Sequence, residues 1–160
     1  MEAFGQINSL GLRSETSLDM FNRYFDVKSH FVFANEMNFD DLGYRNILLL
    51  ASSAPYIDAE IELLTALRGH ISLEIAIKLH PAHRYDARAD RLAALADVVV
   101  PADKRPQAAA FVSWNSFMEF DYEAAGVATW SMERCGGADA TAHAIITELK
   151  VKAADLNGAA

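Results

Sequence analysis

The sequence predicts an α/β protein: a Rossmann-like three-layer αβα domain with a mainly parallel sheet of about five or six strands. Short runs of consecutive aliphatic and β-branched residues recur along the chain. Such runs are typical of strands that are covered on both faces. Segments with the apolar spacing of helices separate these runs, and this alternation implies right-handed crossovers between parallel strands.

Composition and charge narrow the functional classes. The chain has 160 residues, of which 52% are hydrophobic, and this fits the core of one domain. Its net charge of −8 argues against a broad nucleic-acid surface, because binding to phosphates depends on clustered lysine and arginine. No apolar run approaches the roughly 20 residues of a membrane-spanning helix. We therefore expect no nucleic-acid partner and no membrane span.

The cysteine and histidine content bears on metals and location. The one cysteine, Cys135, excludes an internal disulfide and a multi-cysteine zinc site, which fits a reducing compartment. The five histidines show no metal-ligand spacing with acidic residues or cysteine. We expect no structural metal, no resident cofactor and a cytoplasmic location, with peripheral placement at the inner membrane through a partner as the alternative.

The first 29 residues differ from the rest of the chain. Residues 1–13 are mixed in character and predict a loose arm, whereas Leu18, Phe21 and Phe25 share one side of a helix that begins near Ser14. We assign residues 1–29 to an N-terminal arm and helix, and residues 30–160 to the Rossmann-like domain.

The predicted elements of the domain follow from apolar runs, helical spacing and turn residues. Strands are expected at 30–34, 46–51, 73–80, 97–101, 110–114 and 127–130. Helices are expected at 57–67, 85–96, 106–109 and 117–125, with a last helix from Asp139 or Thr141. Gly69 and Gly126 mark two helix ends, because glycine tolerates the left-handed backbone found there.

The strand at 73–80 is apolar until its end, where Lys78 and His80 fall on the same face. Pro81 then stops the strand, because proline has no amide hydrogen for the ladder. Ligands of open α/β sheets bind beyond the carboxyl ends of the strands, so a cation and an imidazole here suggest an anion site. The alternative is a solvated Lys78 and a His80 that caps the sheet edge.

Two neighbouring strand ends carry further polar groups. Ser52 and Ser53 follow the strand at 46–51, in a small-residue loop that lets backbone amides approach a phosphate or ribose. Ser113, Asn115 and Ser116 occupy the end of the strand at 110–114 and its loop. These hydroxyls, with a helix N-terminus behind them, suit a phosphate or diphosphate. The loop at Ser52 is also ordinary loop material.

Acidic residues follow the second serine loop. Glu119 and Asp121 lie in the first turns of the helix predicted at 117–125, where a carboxylate could accept hydrogen bonds from a ribose. Ser116 and Glu119 also have the spacing of a capping box, in which the two side chains satisfy only backbone amides of the helix. Both interpretations stay open for Glu119.

Several of these segments, taken together, resemble one known family. They are Lys78-Leu79-His80-Pro81 at a strand end, the run 96–100, the serine loop with its acidic helix, and the run 126–129. Their order is similar to that of the C-terminal half of GT-B-fold glycosyltransferases, which carries the nucleotide-sugar donor site. Upstream, relatives often have Gly-Asn-Pro and a later Asp, and of these only Asn35 and an Asp match, because Ala34 and Glu36 replace the Gly and Pro.

Within that superfamily, the His-Pro pair and the serine loop are similar to those of bacterial sialyltransferases, Kdo transferases and CDP-glycerol phosphotransferases. The resemblance implies His80 as the catalytic residue that binds the leaving phosphate, supported by Ser113 or Ser116. UDP-sugar enzymes share the scaffold, so the base stays open between CMP or CDP and UDP. The ribose-binding acid is also open between Glu119 and Asp121.

The implied function is that of a donor nucleotide-sugar-binding domain, at 30–160, in surface polysaccharide or glycan synthesis. GT-B enzymes use two Rossmann-like domains and this chain has room for one, so we expect an acceptor-binding domain or subunit as partner. The isolated chain should then bind nucleotide without turnover. The alternatives are a non-catalytic Rossmann-like binding or scaffold module that has lost the nucleotide site, and an unrelated flavodoxin-like domain that binds another phosphate.

Overall fold

The computed structural model describes residues 5–12, 16–32, 38–44 and 46–158. The strands are β1 (Gln6–Ile7), β2 (Leu10–Leu12), β3 (Asp26–Val27), β4 (His30–Val32), β5 (Ile47–Ala51), β6 (Glu74–Lys78), β7 (Val98–Val99), β8 (Ala110–Ser113) and β9 (Ala128–Ser131). The α-helices are α1 (Thr16–Asn22), α2 (Ile57–Leu67), α3 (Arg88–Ala93), α4 (Met118–Ala124), α5 (Met132–Cys135) and α6 (Ala138–Gly158). Short 3-10 turns cover Ala54–Tyr56 and Pro81–Tyr85.

The central sheet of the described residues has five strands in the order β7-β6-β5-β8-β9, all parallel. Numbered along the chain, this order is 3-2-1-4-5, which is the Rossmann arrangement and not the flavodoxin-like one. The predicted fold class is confirmed, and the flavodoxin-like alternative is wrong. The strand order reverses between β5 and β8. The helix that follows β5 therefore packs on one face of the sheet, and the helix that follows β8 packs on the other.

Two apolar layers sandwich the sheet because its side chains alternate between the faces. Leu48 and Leu50 of β5 belong to a buried cluster with residues of α2, α3 and α6. Ile47 and Leu49 point the other way, into a cluster that contains Tyr122 of α4. Every residue of β5 is buried, which explains why its sequence is apolar throughout.

Glycines end two helices, as predicted. Gly69 follows α2 and has a φ of +79°, and Gly126 follows α4 and has a φ of +75°. This backbone region is costly for other residues and open to glycine. The helix predicted at 106–109 is wrong, because Pro106 forms a parallel bridge with Asp40 and the chain runs on extended into β8. The helix predicted at 85–96 is shorter and starts after a 3-10 turn.

The N-terminal segment forms a separate paired unit. Strands β1 and β3 pair in parallel, as do β2 and β4, and α1 connects the two halves. The strand predicted at 30–34 therefore joins this N-terminal unit over His30–Val32, not the central sheet, while its residues 33 and 34 lie outside the described part. Pairing thus links residues on both sides of the predicted boundary at residue 29.

Among the described residues, no helix combines the length and the apolar character that crossing a membrane requires.

Candidate functional site

The strand order creates a crevice at the carboxyl ends of β5 and β8. Ala51, the last residue of β5, pairs with Ser113, the last residue of β8. After β5 the chain turns toward α2 on one face of the sheet. After β8 it turns toward α4 on the other face. Such a reversal point is where open α/β sheets accept ligands. Serines and buried carboxyl groups flank it on both sides.

On the α4 side, Ser113 and Glu119 form a buried pair. The Ser113 hydroxyl donates to Glu119 Oε1 at 2.7 Å, and its oxygen accepts the Ser116 amide at 3.1 Å. Arg134 donates to Glu119 Oε2 at 3.3 Å. Burial raises the pKa of Glu119, although the Ser113 hydroxyl and the Arg134 charge oppose it. The carboxyl group is thus fixed at the tip of β8.

The predicted capping box does not form, and its capping interpretation of Ser116 and Glu119 is wrong. The Ser116 hydroxyl oxygen accepts the Met118 amide at 3.2 Å, which closes a local turn just before α4, and the Glu119 amide donates to the Ser116 backbone oxygen. Glu119 turns to Ser113, and the Ser116 amide donates to the Ser113 hydroxyl instead. Glu119 therefore does not cap its own helix, and Ser113 and Arg134 hold its carboxyl group instead.

On the α2 side, Ser52 and Ser53 hold a carboxyl group that was not among the predicted site residues. The Ser52 hydroxyl donates to Glu60 Oε2 at 2.5 Å, and the Ser53 amide donates to Glu60 Oε1 at 2.6 Å. Glu60 is completely buried, and burial raises its pKa to about 7. A carboxyl group with this pKa changes its charge near neutral pH.

His83 completes the α2-side cluster. It is buried, and the Ser52 oxygen lies 3.4 Å from its Nδ1 and 3.5 Å from its Nε2, so the hydroxyl faces the ring edge between the nitrogens. Burial lowers the pKa of His83, and His80 adds to this effect.

The sequence contained one signal for Glu60: it occupies a position within the apolar stripe of α2, where an acidic residue must be buried.

Lys78 lies at the carboxyl end of β6, as predicted, but backbone carbonyls already bind its ammonium group. It donates to the carbonyl oxygens of Pro101 at 3.2 Å and Lys104 at 2.7 Å, and also to that of Ala102. An ammonium group has three hydrogens, and three carbonyls receive them. Burial lowers the pKa of Lys78, followed by the charge of Arg105. Lys78 therefore holds the loop after β7 in place.

His80 and Pro81 begin the 3-10 turn that follows β6. The Ala82 amide donates to His80 Nδ1 at 3.1 Å, so His80 caps this turn. Its side chain is exposed, and its ring centre lies 6.3 Å from that of His83. Both rings line an open cleft of about 710 Å³ beside β6. His80 therefore caps the turn after β6, whereas the alternative interpretation had it cap the sheet edge beside a solvated Lys78.

The remaining predicted residues are spread more widely. Asn115 is exposed and donates to Glu133 Oε2 at 2.8 Å, at the start of α5. Asp121 is buried and lies 3.3 Å from Arg105, against the N-terminal unit and not in the crevice. The structure thus brings Ser113, Ser116 and Glu119 together and separates Asp121 from them.

No family model, curated protein or solved structure matches this chain. The chemistry of the site therefore follows from its own geometry. Hydroxyl and carboxyl groups at a sheet edge can hold a polyhydroxylated or phosphorylated ligand through hydrogen bonds. Within the described ranges, no group of three histidine, cysteine, aspartate or glutamate side chains could hold a metal ion.

Proposed function

We propose that this chain is the donor nucleotide-sugar-binding domain of a GT-B-type glycosyltransferase in surface polysaccharide or glycan synthesis. It takes a CMP-, CDP- or UDP-linked sugar and acts with an acceptor-binding domain or subunit. The observation that carries the proposal is the reversal of strand order between β5 and β8, with serine–glutamate pairs on both sides of it. Alone, the domain binds nucleotide without transferring sugar.

In this proposal, Glu119 accepts the ribose hydroxyls of the donor. Its carboxylate already receives Ser113 and Arg134, but two carboxylate oxygens offer about four acceptor positions. The Ser113–Ser116 loop fixes the carboxylate before the ligand arrives, which reduces the entropy cost of binding. Asp121, the other candidate for this role, is directed toward Arg105 on another side of α4.

His80 donates to the phosphate of the nucleotide from one defined atom. Because Nδ1 accepts the Ala82 amide, the neutral ring carries its proton on Nε2. An exposed Nε2–H at a strand end can donate to a phosphate oxygen and stabilise the charge that develops as the nucleotide leaves. Lys78 supports the neighbouring loop through its three carbonyl contacts and adds positive charge at longer range.

Calorimetric titration of the chain with CMP, CDP, UDP and inorganic phosphate tests this function. We expect at least one nucleotide to bind and His80→Ala to weaken its binding by about tenfold to a hundredfold, since one hydrogen bond to a charged group contributes about 1.5–3 kcal/mol. His70→Ala is the matched control, because His70 is an exposed histidine beyond the end of α2, at the opposite edge of the sheet. It should leave the affinity unchanged.

A second candidate is the non-catalytic Rossmann-like binding or scaffold module. The contacts of Lys78 favour it, because a cation that three carbonyls already satisfy is not available to a phosphate. A folded chain that gives no heat with any nucleotide of the panel would support this candidate and contradict the donor-binding proposal.

A further inference from the structure

A second cavity lies between the N-terminal unit and α4. Its volume is about 390 Å³, within the range of small-molecule sites. The N-terminal unit lines the cavity with Gly11, Leu12 and Phe21. The opposite wall consists of Phe117, which precedes α4, the α4 residues Met118, Phe120 and Asp121, and Arg105. Junctions between structural units are common positions for ligand pockets.

Exposure of the aromatic wall of this cavity, formed by Phe117 and Phe120, to water costs free energy. Phe117 exposes 65% of its surface, and it lies 6.4 Å from the ring of Phe120. Each square ångström of apolar surface in water costs about 25 cal/mol. Flat aromatic walls favour a flat aromatic partner, because stacked and edge-to-face ring pairs add to simple burial.

One ion pair supplies the polar part of the wall. Arg105 donates to Asp121 at 3.3 Å; the Asp121 side chain is 4% exposed and that of Arg105 is 38% exposed. The guanidinium group is a pure donor and the carboxylate a pure acceptor. Because the guanidinium and the carboxylate lie side by side, they complement a ligand that carries a hydrogen-bond acceptor next to a donor.

We propose that this cavity binds a planar heteroaromatic ligand whose ring carries an N–H beside a carbonyl. Asp121 accepts from the ring N–H, Arg105 donates to the ring carbonyl, and the tilted pair of Phe117 and Phe120 packs against the ring. The site is separate from the crevice between β5 and β8, because the Glu119 side chain points to Ser113 while the cavity uses other residues of α4. It does not depend on the proposed glycosyltransferase function.

The test uses the full chain and three bicyclic probes. The first, 2-quinolinone, has the ring N–H beside the carbonyl; N-methyl-2-quinolinone lacks the donor; quinoline lacks both the donor and the carbonyl and should bind more weakly than 2-quinolinone. We expect 2-quinolinone to bind and the N-methyl compound to bind at least about tenfold more weakly, because the methyl group removes the hydrogen bond that the ligand donates to the Asp121 carboxylate. Equal binding of these two probes would overturn the proposal.

Variants and a spectroscopic readout locate the site. Phe117→Ala should weaken 2-quinolinone binding about fivefold or more, and its exposed position makes a folding defect unexpected. Tyr24→Ala removes an aromatic residue that is 49% exposed and does not line the cavity, so it should have no effect. In the wild-type chain, the methyl signals of Leu12 and Met118 should shift in NMR spectra on titration.

Absence of 2-quinolinone binding, methyl shifts elsewhere in the protein, or equal affinity of the Phe117 and Tyr24 variants would each contradict the proposal. The methyl shifts need no substitution, so they decide the question even if a variant fails to fold.

Discussion

Replacing Glu60 by glutamine should remove a pH dependence of stability that this one side chain creates. Glu60 is fully buried and receives the Ser52 hydroxyl at 2.5 Å and the Ser53 amide at 2.6 Å. Glutamine has the same shape and keeps one acceptor oxygen for the Ser53 amide, while its amide group can donate to the Ser52 oxygen. Glu60→Gln therefore removes the titration with little change in packing.

The magnitude follows from the raised pKa. Burial moves the pKa of Glu60 from 4.5 to about 7. Because the folded-state pKa lies above the unfolded one, the stabilisation is fully present below pH 4.5 and is lost as the pH rises through 7. One pKa unit corresponds to about 1.4 kcal/mol, so the free energy of unfolding should fall by about 2–3 kcal/mol between pH 5 and pH 8 through this group.

Urea denaturation of both proteins across this pH range measures the effect. The difference in unfolding free energy between wild type and Glu60→Gln should change by about 2–3 kcal/mol, in favour of the variant at high pH. Burial lowers the pKa of His83, so the free energy of unfolding rises with pH through this group. His83 is present in both proteins, so this contribution is common to both curves. Glu62→Gln, an exposed position on the same helix, is the control. Parallel curves for wild type and Glu60→Gln would refute the reasoning.

Two further substitutions test contacts of the fold by urea denaturation. Lys78→Met should destabilise the chain by about 1–3 kcal/mol because three carbonyls lose their donor, whereas the exposed Lys150→Met should not; equal stability would contradict the role of Lys78. Tyr122→Phe should cost about 1 kcal/mol because the buried hydroxyl donates to the Pro106 carbonyl at 2.7 Å, and no loss relative to Tyr24→Phe would contradict that bond.

Elements with strong local signals could be predicted from the sequence. The uninterrupted apolar run of β5 predicted a strand buried on both faces, and every residue of β5 is buried. Gly69 and Gly126 predicted helix ends through the left-handed backbone that they adopt. These features depend on residues that are neighbours in the chain, so local patterns are enough to find them.

Features that depend on distant partners could not be predicted. The run at His30 has the pattern of a strand, but no local signal tells that it pairs with β2 instead of the central sheet. Pro106 suits a helix start by its fixed φ, yet its bridge to Asp40 keeps the chain extended. The sequence around Lys78 does not indicate that carbonyls more than 20 residues away receive its ammonium group.

The candidate site divides in the same way. The serines at the ends of β5 and β8 were predicted, since parallel strands place their carboxyl ends at one edge. Glu60 was missed because its partner Ser52 lies eight residues away, across a loop and a turn of helix. An acidic residue within an apolar helical stripe is the pattern that would have indicated it.

Mapping of nucleotide binding by two-dimensional NMR of the backbone amides tests the central claim most directly. If the crevice between β5 and β8 binds a nucleoside phosphate, addition of CMP, CDP or UDP should shift the amide signals of Ser53 and Ser116. Gly69 and Gly126, at the opposite edge of the sheet, should stay unchanged. Shifts confined to that opposite edge, or no shifts with any of these nucleotides, would contradict the account.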